Sequence, residues 1–264
     1  MEDFSKYNND KTTLRKAQLL MLDMLAEVDK TCRNYNLPYW LDGGSLLGAV
    51  RHKGFIPWDD DLDIALMYDD YLKLLAILPK ELPETMILQT GRTRYYGSHI
   101  SKVRYVNSFM DADAAVSVKL EHKGVFVDIF PVERMYMFPK RVVDVFYCPA
   151  FLTFKIANPL SSVSSFFKYG WALFILPFCF LAIGILRVFY RLWKTNKMAY
   201  AYGINFHRHR RYNEIFPLKT IEFEGRQLPC PNDTDAFLRG LYGNYMQVPP
   251  PDKRITHAQN IKIW

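Results

Sequence analysis

The sequence predicts an α+β fold, a mixed sheet flanked by helices and interrupted by a hydrophobic helical insertion. Three observations predict it. Helical and strand periodicities alternate along the first half without a regular βαβ rhythm, four carboxylates within five positions open one short apolar strand, and the middle of the chain turns abruptly to Phe, Leu, Val and Trp. With 264 residues, half of them hydrophobic, the chain is long enough to bury its own core and too apolar to be disordered.

Residues 12–36 carry Leu19, Leu22, Leu25 and Val28 at helical spacing, a core-facing stripe that Asn36, Leu37 and Pro38 end. A short strand over 39–41 runs into Asp42-Gly43-Gly44-Ser45, which opens a helix over 46–53. After the acidic turn GFIPWDDDLDIAL (54–66) come a strand over 62–67, a helix over 69–78, and strands over 86–89, 100–106 and 125–130. The organisation expected is a core over 1–139, a hydrophobic insertion over 140–197, and a segment over 198–264 that completes the core, Pro-rich and extended with one short helix.

Within the insertion, residues 169–186 are 18 consecutive uncharged positions, borderline for a membrane span. Pro177 and Gly184 interrupt them, and Lys168, Arg187, Arg191, Lys194 and Lys197 flank them. A single crossing would strand 198–264 on the far side of a membrane from the acidic turn. The stretch therefore reads as an interfacial or re-entrant helix, ahead of a buried core or oligomer helix and a full span. The cluster from His207 through Arg208, His209, Arg210 and Arg211 fits attraction to anionic lipid, about 1 kcal/mol per basic residue, and equally a solvated face. Cys32, Cys148, Cys179 and Cys230 are far apart and form no CxxC pair, as in a reducing compartment, and the polar start MEDFSKYNND is unlike a secretory signal. A net charge of +7 favours anionic partners without choosing among them.

The chemistry sits in the acidic turn. Two carboxylates about 4 Å apart repel by about 4 kcal/mol at an effective dielectric of about 20, so a compensating charge is expected beside Asp59, Asp60, Asp61 and Asp63. Strand alternation sends Asp61 and Asp63 to one side while Leu62 and Ile64 face the core, which suits a hard divalent cation such as Mg²⁺ or Mn²⁺. A calcium loop fits poorly, because Ile64 stands where that loop needs glycine. Asp59 and Asp60 also suit caps of a solvated turn. Upstream, Gly43, Gly44 and Ser45 at a strand-to-helix turn suit close approach of a phosphate to backbone N–H groups.

The stretch WLDGGSLLGAVRHKGFIPWDDDLDIAL (40–66) closely resembles the LicD-type cholinephosphotransferase family, relatives of the fukutin-related proteins. The resemblance covers 14–134 and resumes at FEG (223–225) and LYGNYMQVPPPDKRITH (241–257). It implies the nucleotidyltransferase fold of the DNA polymerase beta superfamily, with Gly44 and Ser45 on phosphate, Asp61 and Asp63 on metal, and a third carboxylate on a later strand. Asp128, opposite Val127 and Ile129 in GVFVDIFPVE, is the first choice for that carboxylate and Glu133 the second. Arg51 matches the family's basic residue after the Gly-Ser helix, while Lys102 and Arg104 share a strand face as further phosphate contacts. His52 and His99 are weak candidates for a general base. Trp40, Trp58, Tyr95 and Tyr96 lie near the motif in sequence, with core packing as their default.

Family similarity implies Mg²⁺- or Mn²⁺-dependent transfer of a phospho-alcohol, most often phosphocholine, from a CDP-alcohol to a hydroxyl of a surface glycan precursor, releasing CMP. The acceptor would be a glycan or lipid-linked glycan such as lipopolysaccharide or teichoic acid. The protein would then be cytoplasmic and peripheral on the inner face of the membrane, with no nucleic-acid partner. A nucleotidyltransferase acting on a sugar phosphate or a protein is the alternative, and a glycan-assembly scaffold with a dead site is a third reading.

Overall fold

A computed structural model of the chain describes residues 4, 9, 11–93, 95–111, 120, 122–156, 161–206, 208–258 and 260–264, so His207 lies outside the described residues. Helix α1 (Thr13–Asn34) is capped by Thr12, whose hydroxyl accepts from the Arg15 N–H, and buries Ala17, Met21, Met24, Leu25, Val28 and Cys32 along one stripe. Strand β1 (Tyr39–Leu41) leads to α2 (Gly43–His52), which starts three residues earlier than its apolar pattern suggests because Asp42 caps it. Next come β2 (Asp63–Met67), α3 (Tyr68–Glu81), β3 (Met86–Gln89), β4 (Ser101–Tyr105), β5 (Ser108–Met110) and β6 (Phe126–Arg134). The insertion is a helical hairpin, α4 (Met137–Ile156) and α5 (Val163–Trp193), and α5 runs unbroken through Pro177 and Gly184. The chain finishes with β7 (Lys197–Tyr200), β8 (Arg210–Arg211), the single turn α6 (Tyr212–Ile215), β9 (Lys219–Phe223), β10 (Arg226–Cys230), α7 (Thr234–Tyr242) and β11 (Ile261–Ile263).

The main sheet is mixed, in the order β1-β2-β6-β4-β3, with β7 on the free half of β6 and β8 on β7. Only the β2–β6 pair is parallel. Eight of the nine β6 residues are buried, as a strand paired on both edges and covered on both faces requires. The core gathers α1, α3 and the sheet around Trp40, Leu46, Leu62, Ile64, Val127 and Ile129. A second apolar cluster joins α4 and α5 to β7 through Tyr147, Ala172, Cys179, Ile183, Ala199 and Tyr202.

One expectation changes, and one reading that the sequence already ranked last drops out. The last segment is not simply extended chain with a helix: β9 and β10 form a hairpin, and β11 pairs with β5. Nor does a single membrane crossing fit, because the Met135 N–H donates to Lys197 O and β7 pairs antiparallel with β6 immediately after the hairpin. Both ends of the insertion therefore leave the same sheet.

The β9–β10 turn also ties the chain's ends together. Glu224 takes a two-pronged ion pair from Arg15, at 2.9 and 2.7 Å, and accepts the Phe55 N–H at 3.1 Å. A Cβ at Gly54 would collide with that carboxylate. The Arg15 and Phe55 hydrogen bonds outweigh partial burial and hold the Glu224 carboxyl below its ordinary range. Its stabilisation is thus present at neutral pH and lost as pH falls through the depressed value. Glu224→Gln is expected to lower urea stability at pH 7 by about 2 kcal/mol, with the two curves converging as pH falls through the depressed Glu224 value. Equal midpoints at pH 7 would show that the pair contributes nothing.

Candidate active site

Parallel pairing of β2 with β6 sets Asp63 directly opposite Asp128, and the Asp128 N–H donates to Leu62 O at 2.8 Å, which extends the pairing one residue back. Leu62, Ile64, Val127 and Ile129 are fully buried on the core side. Alternation leaves Asp61, Asp63 and Asp128 on the opposite side, where they line one cleft of about 640 Å³. Burial, followed by the charges of Asp128 and Asp60, pushes the Asp61 carboxyl up to about 6. Burial also raises Asp63 well above the carboxylate range, aided by Asp61 and Asp128, and raises Asp59 likewise, aided by Asp61 and Asp60. Lys102, opposite Asp128 in β4, places Nζ 2.8 Å and 3.0 Å from the two Asp128 oxygens and 3.4 Å above the Phe126 ring. Its single charge sits beside three carboxylates.

The N-terminus of α2 closes against these acids. Gly43 has φ of 50°, and a Cβ there would lie 3.0 Å from Asp63 Oδ2; one at Gly44 would lie 2.8 Å from Asp59 Oδ2. The glycines thus allow the acidic turn to approach the helix end. Ser45 is buried, and its hydroxyl oxygen accepts the Asp63 N–H at 2.7 Å, so it fixes β2 against α2.

Asp42, which caps α2, is completely buried. It accepts from Arg210 at 3.0 Å and from the Tyr200 hydroxyl at 2.7 Å, while the Arg210 guanidinium stacks 4.1 Å above the Tyr200 ring. Arg210 is 2% exposed, so neither the lipid-facing nor the solvated reading of the basic cluster holds for it. Of its neighbours, Arg208 lines the cleft, donating to Gly240 O and Leu241 O, and Arg211 pairs with Glu214 at the surface.

Other candidates lie elsewhere. Arg104 is buried below the cleft, donating to Gln89 Oε1 at 2.7 Å and Gly124 O at 2.8 Å. Arg51, at the far end of α2, donates to Tyr245 O at 2.9 Å and anchors the C-terminal segment. Glu133 is two-pronged with Arg187 at 2.8 and 2.7 Å and lines a separate cavity, which removes it as the third carboxylate. His52 packs against Phe4 and Trp58, and His99 against Tyr147 and Phe151; burial is the main cause holding each down to about 4. Trp40 and Trp58 are core residues, and of the four nearby aromatics only Tyr96 lines the cleft. Its aromatic wall is instead completed by Phe130, Tyr200, Phe206 and Tyr242.

Among the described residues, the acids and histidines whose potential ligand atoms all lie within 4.8 Å of one another are Asp59, Asp60 and His257. Asp60 is committed elsewhere, accepting the backbone N–H groups of His257 and Ala258, while Thr256 donates to Trp58 O at 2.7 Å. This grouping clasps the C-terminal segment to the acidic turn. Asp61, Asp63 and Asp128 line the cleft more widely spaced than that grouping, and their oxygen chemistry and mutual repulsion suit a hard cation there.

Residues 36–155 match the protein family described as LicD/FKTN/FKRP, nucleotidyltransferase domain. The lipopolysaccharide cholinephosphotransferase LicD of Haemophilus influenzae is 29% identical over 96% of this chain and 99% of its own length. Human ribitol 5-phosphate transferase FKRP is 59% identical over 32 residues, 12% of this chain and 6% of its own. Human ribitol-5-phosphate transferase FKTN is 31% identical over 86 residues, 30% of this chain and 18% of its own.

Raised carboxyl values carry a stability consequence. The folded state holds protons that the unfolded chain releases from about pH 4 upward, so stability falls as pH rises from there toward the Asp61 value of about 6. In EDTA at pH 7, Asp61→Asn is expected to be more stable to urea than the parent by about 1–3 kcal/mol, with the advantage gone at pH 4. A less stable variant at pH 7 would mean the acids do not strain the fold.

Proposed function

We propose that the chain, whose residues 36–155 match the LicD/FKTN/FKRP domain, is a LicD-like phosphotransferase that transfers a phospho-alcohol, phosphocholine by preference, from a CDP-alcohol to a hydroxyl of a cell-surface glycan precursor, releasing CMP. The observation that carries this reading is the convergence of Asp61, Asp63 and Asp128 on one cleft beside the Gly43-Gly44 turn. The reaction is attack by the acceptor oxygen on the phosphorus that bears the alcohol. The bond from that phosphorus to the bridging oxygen breaks, and CMP leaves with the electron pair.

Asp61, Asp63 and Asp128 would hold Mg²⁺ or Mn²⁺, which offsets the charge of a diphosphate and acidifies a hydroxyl when bound. Asp128 is assigned to accept the acceptor proton. Lys102 orients the Asp128 carboxylate and, with Arg208 across the cleft, faces the donor's anionic oxygens. Ser45 and Asp42 act one step back: the first fixes the backbone of Asp63, and the second fixes the start of α2 through Arg210 and Tyr200. Arg51 and Arg104 serve structure in this scheme, since their donors are spent on carbonyl and amide oxygens away from the cleft.

The other half of the cleft is aromatic, with Tyr96, Phe130, Phe206 and Tyr242. A quaternary ammonium has no hydrogen to donate and is held by ring faces, each worth about 0.5–2 kcal/mol, which supports a choline end over a polyol end. A lipid-linked glycan acceptor places the reaction on the inner face of the cytoplasmic membrane, with peripheral contact through 140–197.

Asp61→Asn is expected to cut transfer by about a thousandfold or more while far-UV circular dichroism stays unchanged. Added Mg²⁺ should raise the unfolding temperature of the parent and not of the variant. Full turnover by the variant would remove the metal role, and pyrophosphate in place of CMP would turn the reading to nucleotidyl transfer. Phe206→Ala should raise KM for a CDP-choline donor about three- to thirtyfold and leave KM for a CDP-polyol donor nearly unchanged. An equal rise for both donors would detach Phe206 from choline recognition.

A further inference from the structure

We infer that α5 lies in the plane of an anionic lipid bilayer, embedded in a single leaflet by its outward face. This deepens the peripheral membrane contact proposed above and rests on that reading; the binding is measured without substrate, so its failure leaves the transferase chemistry standing.

The helix has two unlike sides. Ala172, Leu176, Cys179, Ile183 and Tyr190 form the inward stripe, buried with α4. On the other side Val163, Phe167, Trp171, Phe174, Phe178, Leu181, Ile185, Val188 and Leu192 follow one another at three- and four-residue steps, from one end of the helix to the other. Their exposures run from 41% to 78%. At 1.5 Å per residue this seam is about 46 Å long, and no charge interrupts it. The 31-residue helix has a mean hydropathy of 2.4 in its most apolar window, of which only 22% is buried. A water-exposed helix normally carries its polar residues outward, and this one is reversed.

The hairpin's attachment decides between lying and spanning. Its base is closed by Met135 N–H to Lys197 O, and α4 is held to the domain where the buried Lys140–Asp144 pair meets Ile204 O and Gly203 N–H, at 2.8 and 2.9 Å. Both ends stay with the sheet that carries the cleft, and α4 cannot enter a bilayer without taking that pair with it. An in-plane α5 satisfies both constraints.

Charge decides the occupant. Helix α5 contains no Asp or Glu, and its cations Lys168, Arg187 and Arg191 sit toward the inward half, where Arg187 pairs with Glu133 and Arg191 with Asp69. Lys168 and, just beyond the helix, Lys194 are exposed at the two ends. They flank the apolar seam at head-group height and complement anionic lipid. A second copy of α5 on the seam would leave the exposed Phe166, Leu173 and Phe180 beside it uncovered, whereas a lipid phase covers them all.

The test is flotation of the full chain with vesicles of phosphatidylcholine alone and of phosphatidylcholine mixed with phosphatidylglycerol, at low and high salt. The parent is expected to float with the mixed vesicles, more than with the neutral ones, and to stay bound at high salt. Trp171 fluorescence should be quenched by lipids brominated in the upper acyl chain. The combined substitution Phe174→Glu, Phe178→Glu and Leu181→Glu should reduce binding at least about tenfold with circular dichroism unchanged. A parent that does not float, binding abolished by salt, or a soluble dimer that the same three substitutions make monomeric would each overturn the inference.

Discussion

The structure depends on one register: β2 runs parallel to β6 so that Asp63 faces Asp128, with Asp61 one pleat back on the same side. A sheet gains nothing from placing like charges opposite each other, and here the cost is compounded by burial. The surrounding elements reduce that cost. Lys102 stands on β6's other edge against Asp128, and the positive end of α2 abuts Asp59 and Asp63 through two glycines that leave room for their oxygens. The same features that make the acids tolerable leave their oxygens facing the cleft.

The Asp42–Arg210–Tyr200 cluster gives the site its dependence on the end of the chain. Asp42 caps α2, whereas Tyr200 and Arg210 come after the helical hairpin, which ends at Trp193. A buried ion pair is a weak source of net stability, because desolvating two charges consumes most of their attraction. Its value is specificity: with Arg210 misplaced, an uncompensated carboxylate would remain at the helix cap beside Asp63. The clasp of Asp60 on His257 and Ala258, and that of Arg51 on Tyr245, tie the rest of the C-terminal segment to the same turn.

Much of this was readable from local pattern. The alternation around Leu62 and Ile64 places Asp61 and Asp63 on one side, and that around Val127 and Ile129 turns Asp128 away from its apolar neighbours, while the β2–β6 register makes the two faces coincide; the helix over 13–34 follows from its apolar stripe. What local pattern could not supply is whether a polar residue is spent on a distant partner. Arg210 counts as one more cation in a basic run until Asp42, 168 positions away, is seen beneath it. Ser45 resembles a phosphate contact, yet its hydroxyl serves the Asp63 amide. The β9–β10 hairpin turns at Glu224 and Gly225, both with positive φ, and its strand β10 contains Pro229, a residue that sheets disfavour.

The hairpin of α4 and α5 enters from β6 and returns through β7, and these two strands are already bonded side by side where it begins. Nothing in the sheet's connectivity requires the 57 residues from Met137 to Trp193; a tight reverse turn between Met135 and Lys197 would preserve every rung of the ladder. The fold can thus treat this hairpin as a cassette. Its length and sequence can therefore change without moving Asp61, Asp63 or Asp128 relative to one another.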